Sequence, residues 1–144
     1  MKNIDKEQIE KEKNMAHQNM FYSVQRIDLL IIAVSGAGVY VCLETLKFIV
    51  EEKLNESPIL IKLAGLMFVL AVVVNFISQI TSKKSNHYDY LMSCAKLEDD
   101  EKKAERYDCI SGNWDTATTW FNTSSIVIIS IGLIFILIFF FGFV

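Results

Sequence analysis

The chain has 144 residues, 52% of them hydrophobic, a net charge of −3 and a mean hydropathy of +0.33, more apolar material than one soluble core of this size uses. Charged residues make up 22%, yet Ser130 is the only polar side chain between Ile126 and Val144, so charge and apolar content are segregated along the chain. Such segregation points to a membrane protein; it excludes a disordered chain, the three cysteines exclude a disulfide scaffold, and the lack of a basic footprint argues against a nucleic-acid partner.

Residues 1–28 contain no Gly or Pro and are rich in Lys, Glu, Gln and Met, which predicts a helix. Ile9, Ala16, Met20, Val24 and Ile27 recur at steps of seven, four, four and three, so this helix is amphipathic and runs straight on into the next element. Lys2, Lys6, Lys11, Lys13 and Arg26 lie here among acids, without an early apolar stretch or small-residue cleavage site. No cleavable signal is therefore expected, and the first apolar run must double as the insertion signal.

Three apolar runs follow: Leu29 to Val50, Ile59 to Ile80 and Ile126 to Val144. At 22, 22 and 19 residues, each crosses a hydrocarbon core of ~30 Å as a helix rising ~1.5 Å per residue. The expected fold is all-α, with an N-terminal cytoplasmic helix over 1–28 and a transmembrane hairpin over 29–80 (spans 29–50 and 59–80). A cytoplasmic helical segment and turn over 81–125 leads to a third transmembrane helix over 126–144. Ser57-Pro58 reads as an N-cap followed by proline at the first helical position, which makes the hairpin tight.

Positively charged short loops stay in the cytoplasm. Residues 1–28 hold five Lys and Arg and residues 82–125 hold six, whereas the bend at 51–58 holds only Lys53. The reading is an inner (cytoplasmic) membrane protein with its N-terminus and residues 81–125 inside, and the short bend and C-terminus outside. Trp114, Trp120 and Phe121 fit an interfacial aromatic belt at the entrance to the third span. Asn55-Glu56-Ser57 fits a glycosylation sequon on the outer bend, a three-residue pattern that also arises by chance.

Beyond the second span, Ile80, His87, Leu91 and Cys94 keep one face while Lys83, Lys84, Asp89, Lys96 and the run from Glu98 to Lys103 stay polar. This predicts one continuous helix from Ile59 to about Tyr107, broken by the Ser111-Gly112-Asn113 turn. Its last ~27 residues would project ~40 Å from the bilayer. The stripe on it then needs a cover: the N-terminal helix, copies of the chain, or a soluble cytoplasmic partner.

Ionisable groups inside the runs are the first candidates for function, because a charge at mid-bilayer costs at least ~2.5 kcal/mol. Glu44 and Lys47 lie near the outer end of the first span and Lys62 one turn into the second, at similar depth across an antiparallel hairpin. Glu44 has two partners within reach, Lys62 and Lys47, in a clasp that locks the hairpin; alternatively these groups form a charged ring at the outer mouth of an oligomeric pore. Asn75, Ser78, Gln79 and Ser82 form a polar stripe that either glues helices together or lines water. Ala33, Gly36, Ala37 and Gly38 with Ser35 lack bulk, so this is the expected site of a tight helix crossing; Gly132 and Gly142 are weaker candidates on a third helix expected to face lipid.

Enzyme chemistry finds no support. His17 and His87 are the only histidines, and Cys42, Cys94 and Cys109 lack the spacing of a zinc site, so neither metal nor cofactor is expected. No phosphate-binding loop, dinucleotide fingerprint or nucleophile elbow occurs.

The stretch Lys13-Asn14-Met15-Ala16-His17-Gln18-Asn19-Met20-Phe21-Tyr22, leading through Arg26 into the first span, resembles the small bacterial two-transmembrane effectors called SLATT proteins, as does the layout over roughly residues 10–107. The resemblance implies an oligomeric channel or pore that damages the cell membrane in nucleotide-triggered anti-phage defence. The third span lies outside that family's basic two-span pattern. Three helices cannot enclose a water path, so conduction requires a homo-oligomer, gated by the cytoplasmic helices. The other reading is a non-conducting membrane anchor that docks a soluble protein through those helices. A small transporter would need a midplane site and broken helices, and neither is found.

Overall fold

A computed structural model describes the backbone of residues 2–52 and 57–143 and the side chains of residues 25–52 and 57–142. It is built from α1 (Lys2–Glu51), α2 (Ile59–Leu97) and α3 (Glu101–Phe143), with no strand among the described residues. The segment Gln25–Glu51 of α1, and helices α2 and α3, are each long and apolar enough to cross a membrane. Only 17, 28 and 22% of their apolar windows are buried inside the chain, so most of that surface needs the apolar surroundings that a bilayer supplies. The side chains of Ile9, Ala16, His17, Met20 and Val24, the 13–22 stretch, and Asn55 and Glu56 of the sequon lie outside the described residues.

The sequence places the first turn of α2 one residue too early. Pro58 is the N-cap, with φ −77°, and its carbonyl accepts the Lys62 amide at 3.0 Å, while no side chain caps the helix. Proline loses nothing there, because an N-cap contributes its carbonyl rather than its N–H.

The larger correction concerns the second helix. It does not run to Tyr107, and Ser111-Gly112-Asn113 is not a turn. Instead α2 stops at Leu97 and the chain reverses over residues 98–100. Asp99 adopts φ 57°, its amide bonds the Lys96 carbonyl at 3.4 Å and the Asp100 amide bonds the Ala95 carbonyl at 3.0 Å. These two bonds are the helix-ending motif in which a left-handed residue satisfies the last carbonyls, with aspartate where glycine is usual. Asp100 then opens α3: its carboxylate accepts the Lys103 amide at 3.2 Å, its carbonyl accepts the Ala104 amide at 3.1 Å, and the Lys103 ammonium lies 2.9 Å from its second oxygen. The Lys103 side chain and amide hold the Asp100 carboxyl below its ordinary pKa. What reads as a solvated helical face is therefore an end-cap followed by a start-cap.

The result is an up-down-up bundle. Helix α2 packs against α3 along most of its length and against α1 over its apolar half, while α1 and α3 barely meet. In place of the three covers expected for the projecting part of α2, the chain provides a fourth, its own third helix.

A seven-residue rhythm organises the α2–α3 contact. On α3, Ala104, Ser111, Ser125, Gly132 and Phe139 are buried and Thr118 is half-buried, each a multiple of seven from the next. Tyr107, Trp114, Phe121, Ile128 and Phe135, half-buried, repeat at the same interval. On α2, Ile61, Ala64, Phe68, Ala71, Asn75 and Ser78 alternate steps of three and four, and the buried line continues through Thr81, Ser85 and Ala95. On α1, Ile31, Ser35, Gly38, Cys42 and Ile49 carry the same spacing. A mean period of 3.5 keeps such a stripe facing its partner and produces left-handed, shallow-angle wrapping. Along α2 the inward face thus lies one residue away from the predicted line: His87 and Ile80 are exposed, and Leu91 and Cys94 only half-buried.

Candidate functional site

Among the described residues, three groups of hydrogen-bonded polar side chains follow one another along α2, one toward α1 and two in the α2–α3 seam. Small side chains at the inward positions of α2 and α3 let the helices approach, and any polar atom enclosed there must find its partner within the protein. Asn75 is completely buried; its amide donates to Asp28 Oδ1 on α1 at 2.9 Å, and its carbonyl accepts from Gln79 Nε2 at 3.1 Å. One turn on, the Ser78 hydroxyl faces Asn122 Oδ1 at 2.6 Å and the Thr118 carbonyl at 3.2 Å, both on α3. Thr118 donates to Thr81 Oγ1 at 2.8 Å, and Thr81 donates to the Ser78 carbonyl at 2.7 Å.

Further along, Ser85 and Ser111 meet with hydroxyl oxygens 3.1 Å apart, and Ser111 donates to Asp89 Oδ1 at 2.5 Å. The Lys84 ammonium sits 4.4 Å from the centre of the Trp114 ring, a cation–π contact across the same pair of helices. Asp28 and Asn75 therefore bind α1 to α2, with Gln79 supporting Asn75 along α2, and the remainder binds α2 to α3.

Below Asn75 the seam turns apolar and relies on shape. Phe68 is completely buried, and its ring fills space left by two glycines. A Cβ on Gly38 of α1 would lie 2.6 Å from Phe68 Cε2, and one on Gly132 of α3 would lie 3.2 Å from Phe68 Cζ. Ser35, also fully buried, has a hydroxyl without a hydrogen-bond partner among the described residues.

Of the residues singled out in the sequence, Asn75, Ser78 and Gln79 come together, and the first two act as interhelical links within the chain. Ser82 is only half-buried. Gly38 makes a tight crossing, but Ala33, Gly36 and Ala37 are exposed on the opposite side, and a Cβ on Gly36 would meet nothing within 4 Å. Gly132, rated weaker from sequence, is the third helix's closest approach, and Gly142 stands in open space. Trp114 and Phe121 belong to the seam, whereas Trp120, 71% exposed, keeps an outward position.

The Glu44 clasp does not form. Glu44 and Lys62 are exposed with no ion pair between them, and Lys47 pairs instead with Glu51 at 3.9 Å along its own helix. The sequence reading missed Asp28, Thr81, Ser85, Ser111, Thr118 and Asn122. The seven-residue recurrence from Ala104 to Phe139 was the available signal, masked by its change from polar to apolar members.

Among the described residues no cluster of His, Cys, Asp and Glu is suited to hold a metal ion. No protein-family model, curated protein or solved structure matches the chain.

Proposed function

We propose that this chain is the subunit of a homo-oligomeric membrane channel or pore effector, acting in the inner membrane of a bacterium in defence against phage. The single observation that supports the oligomer is the pair of intramembrane charges, Glu44 and Lys62, exposed within apolar helices and without an ion pair among the described residues. Charges so placed face a bundle interior or a water-filled path in membrane proteins rather than lipid tails.

In this reading the polar seam holds each subunit together and does not line the path. The path runs along the axis of the assembly, with Glu44 in a charged ring at its outer mouth, while Ala33, Gly36 and Ala37 on the outward face of α1 are exposed toward a neighbouring copy. The N-terminus and the α2–α3 hairpin beyond Ser78 lie in the cytoplasm, the C-terminus lies outside, and the hairpin gates. Ion flux then dissipates the membrane potential, worth ~2.3 kcal/mol per charge per 100 mV. The test is flux from vesicles holding purified protein under a potassium gradient. Leakage that changes its cation preference in Glu44→Gln is expected, and silence with or without cell extract from phage-infected bacteria contradicts the proposal.

One observation favours a second reading, a non-conducting anchor that presents the hairpin to a soluble protein. Asn75 and Ser78, the polar groups best suited to line water, are engaged inside the chain. A stoichiometric partner lost on deleting residues 88–110, from protein that stays in the membrane, would favour the anchor.

A further inference from the structure

We infer that the chain assembles with copies of itself in the membrane through a specific contact, in which Glu44 of one copy meets Lys62 of the next. The inference deepens the oligomer reading above and names its interface. Three features of the molecule lead to it.

First, the two groups lie at the same height. Gly65 of α2 packs on Cys42 of α1, a Cβ on that glycine lying 3.5 Å from Cys42 Cβ. From that contact Glu44 is two residues along α1 and Lys62 three residues back along antiparallel α2, a difference of only ~1.5 Å in height. Second, they carry opposite charge, both are exposed, and neither has an ion pair among the described residues. Adjacent in height yet unpaired, they are presented outward from different helices of one molecule. Third, the surface beside Glu44 is shaped for close approach. Ala33, Ala37 and Glu44, at intervals of four and seven residues, share one face of α1 with Gly36 beside them, and all four are exposed. Here a neighbouring helix gains van der Waals contact that bulky side chains would prevent.

Because the acid is on one helix and the base on another, the contact is heterologous, head to tail, and each copy keeps one free partner at either end. Repetition about an axis along the membrane normal closes such contacts into a ring. The charge pair fixes depth and register, and the small-residue face of α1 seats the neighbour's α2.

The test uses full-length protein in lipid vesicles. Single reversals Glu44→Lys and Lys62→Glu should each weaken self-association at least about tenfold, by placing like charges together, and the double reversal should restore it. Subunit counting by single-molecule photobleaching reads the effect, and circular dichroism checks that each variant keeps its helices. A second measurement does not depend on reversal being tolerated. Differently tagged chains lacking native cysteines, one carrying Glu44→Cys and the other Lys62→Cys, should give a disulfide-linked heterodimer carrying both tags. A monomeric wild type, a double reversal no better than the singles, or no mixed disulfide would overturn the inference. An assembly held by this pair that passes no ions supports the interface and counts against the channel; conduction unchanged by either reversal does the opposite.

Discussion

The two halves of the α2–α3 seam share one spacing and use different chemistry. In the apolar half, Ile61, Ala64, Phe68 and Ala71 share one core with Ile129 and Phe139, and the contact is van der Waals fit centred on a ring set between glycines. In the polar half, Ser78, Thr81 and Ser85 meet Ser111, Thr118 and Asn122 through hydroxyls and an amide. Apolar side chains gain little by leaving lipid for one another, so shape must carry the first half. The second half relies on hydrogen bonds whose net worth is modest and whose loss leaves buried groups unpaired. The apolar half is therefore expected to act as the frame, and the polar hairpin to open first.

The largest expected effect probes the frame. Phe68→Ala removes a fully buried ring shared by all three helices, and should cost about 3–5 kcal/mol in a reversible detergent-unfolding titration. A cost below about 1 kcal/mol would mean that lipid or a neighbouring copy fills the space, and the frame would not be intrinsic to the chain.

Next in size is a contrast between two glycines on one helix. Gly38→Ala places a methyl 2.6 Å from Phe68 Cε2 on a fully buried ring, and should cost about 1–3 kcal/mol. Gly36→Ala meets open space and should leave the monomer within about 0.5 kcal/mol of wild type. Equal effects would show that the crossing is misplaced.

At the junction of the halves, Asn75→Leu deletes the link from α2 to Asp28 and should cost about 1 kcal/mol, in the range of interhelical hydrogen bonds in membranes. Asp28→Asn in the same background should add little, since the partner is already gone; an additive loss would show that the two do not act as a pair.

The smallest change is a gain. Asp99→Gly relieves a non-glycine residue held at φ 57° and should stabilise the hairpin by up to about 1 kcal/mol, read as a higher unfolding midpoint. A loss would place the reversal elsewhere.

Hydropathy made the three spans legible, because apolar runs of that length admit few other structures. The reversal escaped because Glu98-Asp99-Asp100 contains neither Gly nor Pro, and its aspartates read as solvated helix surface rather than as an end-cap and a start-cap. Ser111-Gly112-Asn113 misled for the converse reason: Ser111 is an inward member of the repeat, buried against Ser85, and Gly112 lies on an exposed face where a helix tolerates it. Sequence spacing gave the height of Glu44 and Lys62 but not their direction, since equal depth on neighbouring helices is compatible with facing together or apart. The stripe at Asn75 and Ser78 was legible as polar; its partners were not, because they come from α3, whose register depends on where the reversal falls.

The seam and the reversal stand together, and the closest test joins residues 85 and 111. Ser85→Cys and Ser111→Cys, in a chain whose native cysteines are replaced, bring two thiols to positions whose hydroxyl oxygens are 3.1 Å apart. Under mild oxidation in membranes the chain should form this disulfide within one molecule, detected as a shift in mobility without doubling of mass. If residues 59–107 formed one continuous helix instead, the two positions would lie far apart, and both thiols would remain open to a maleimide label.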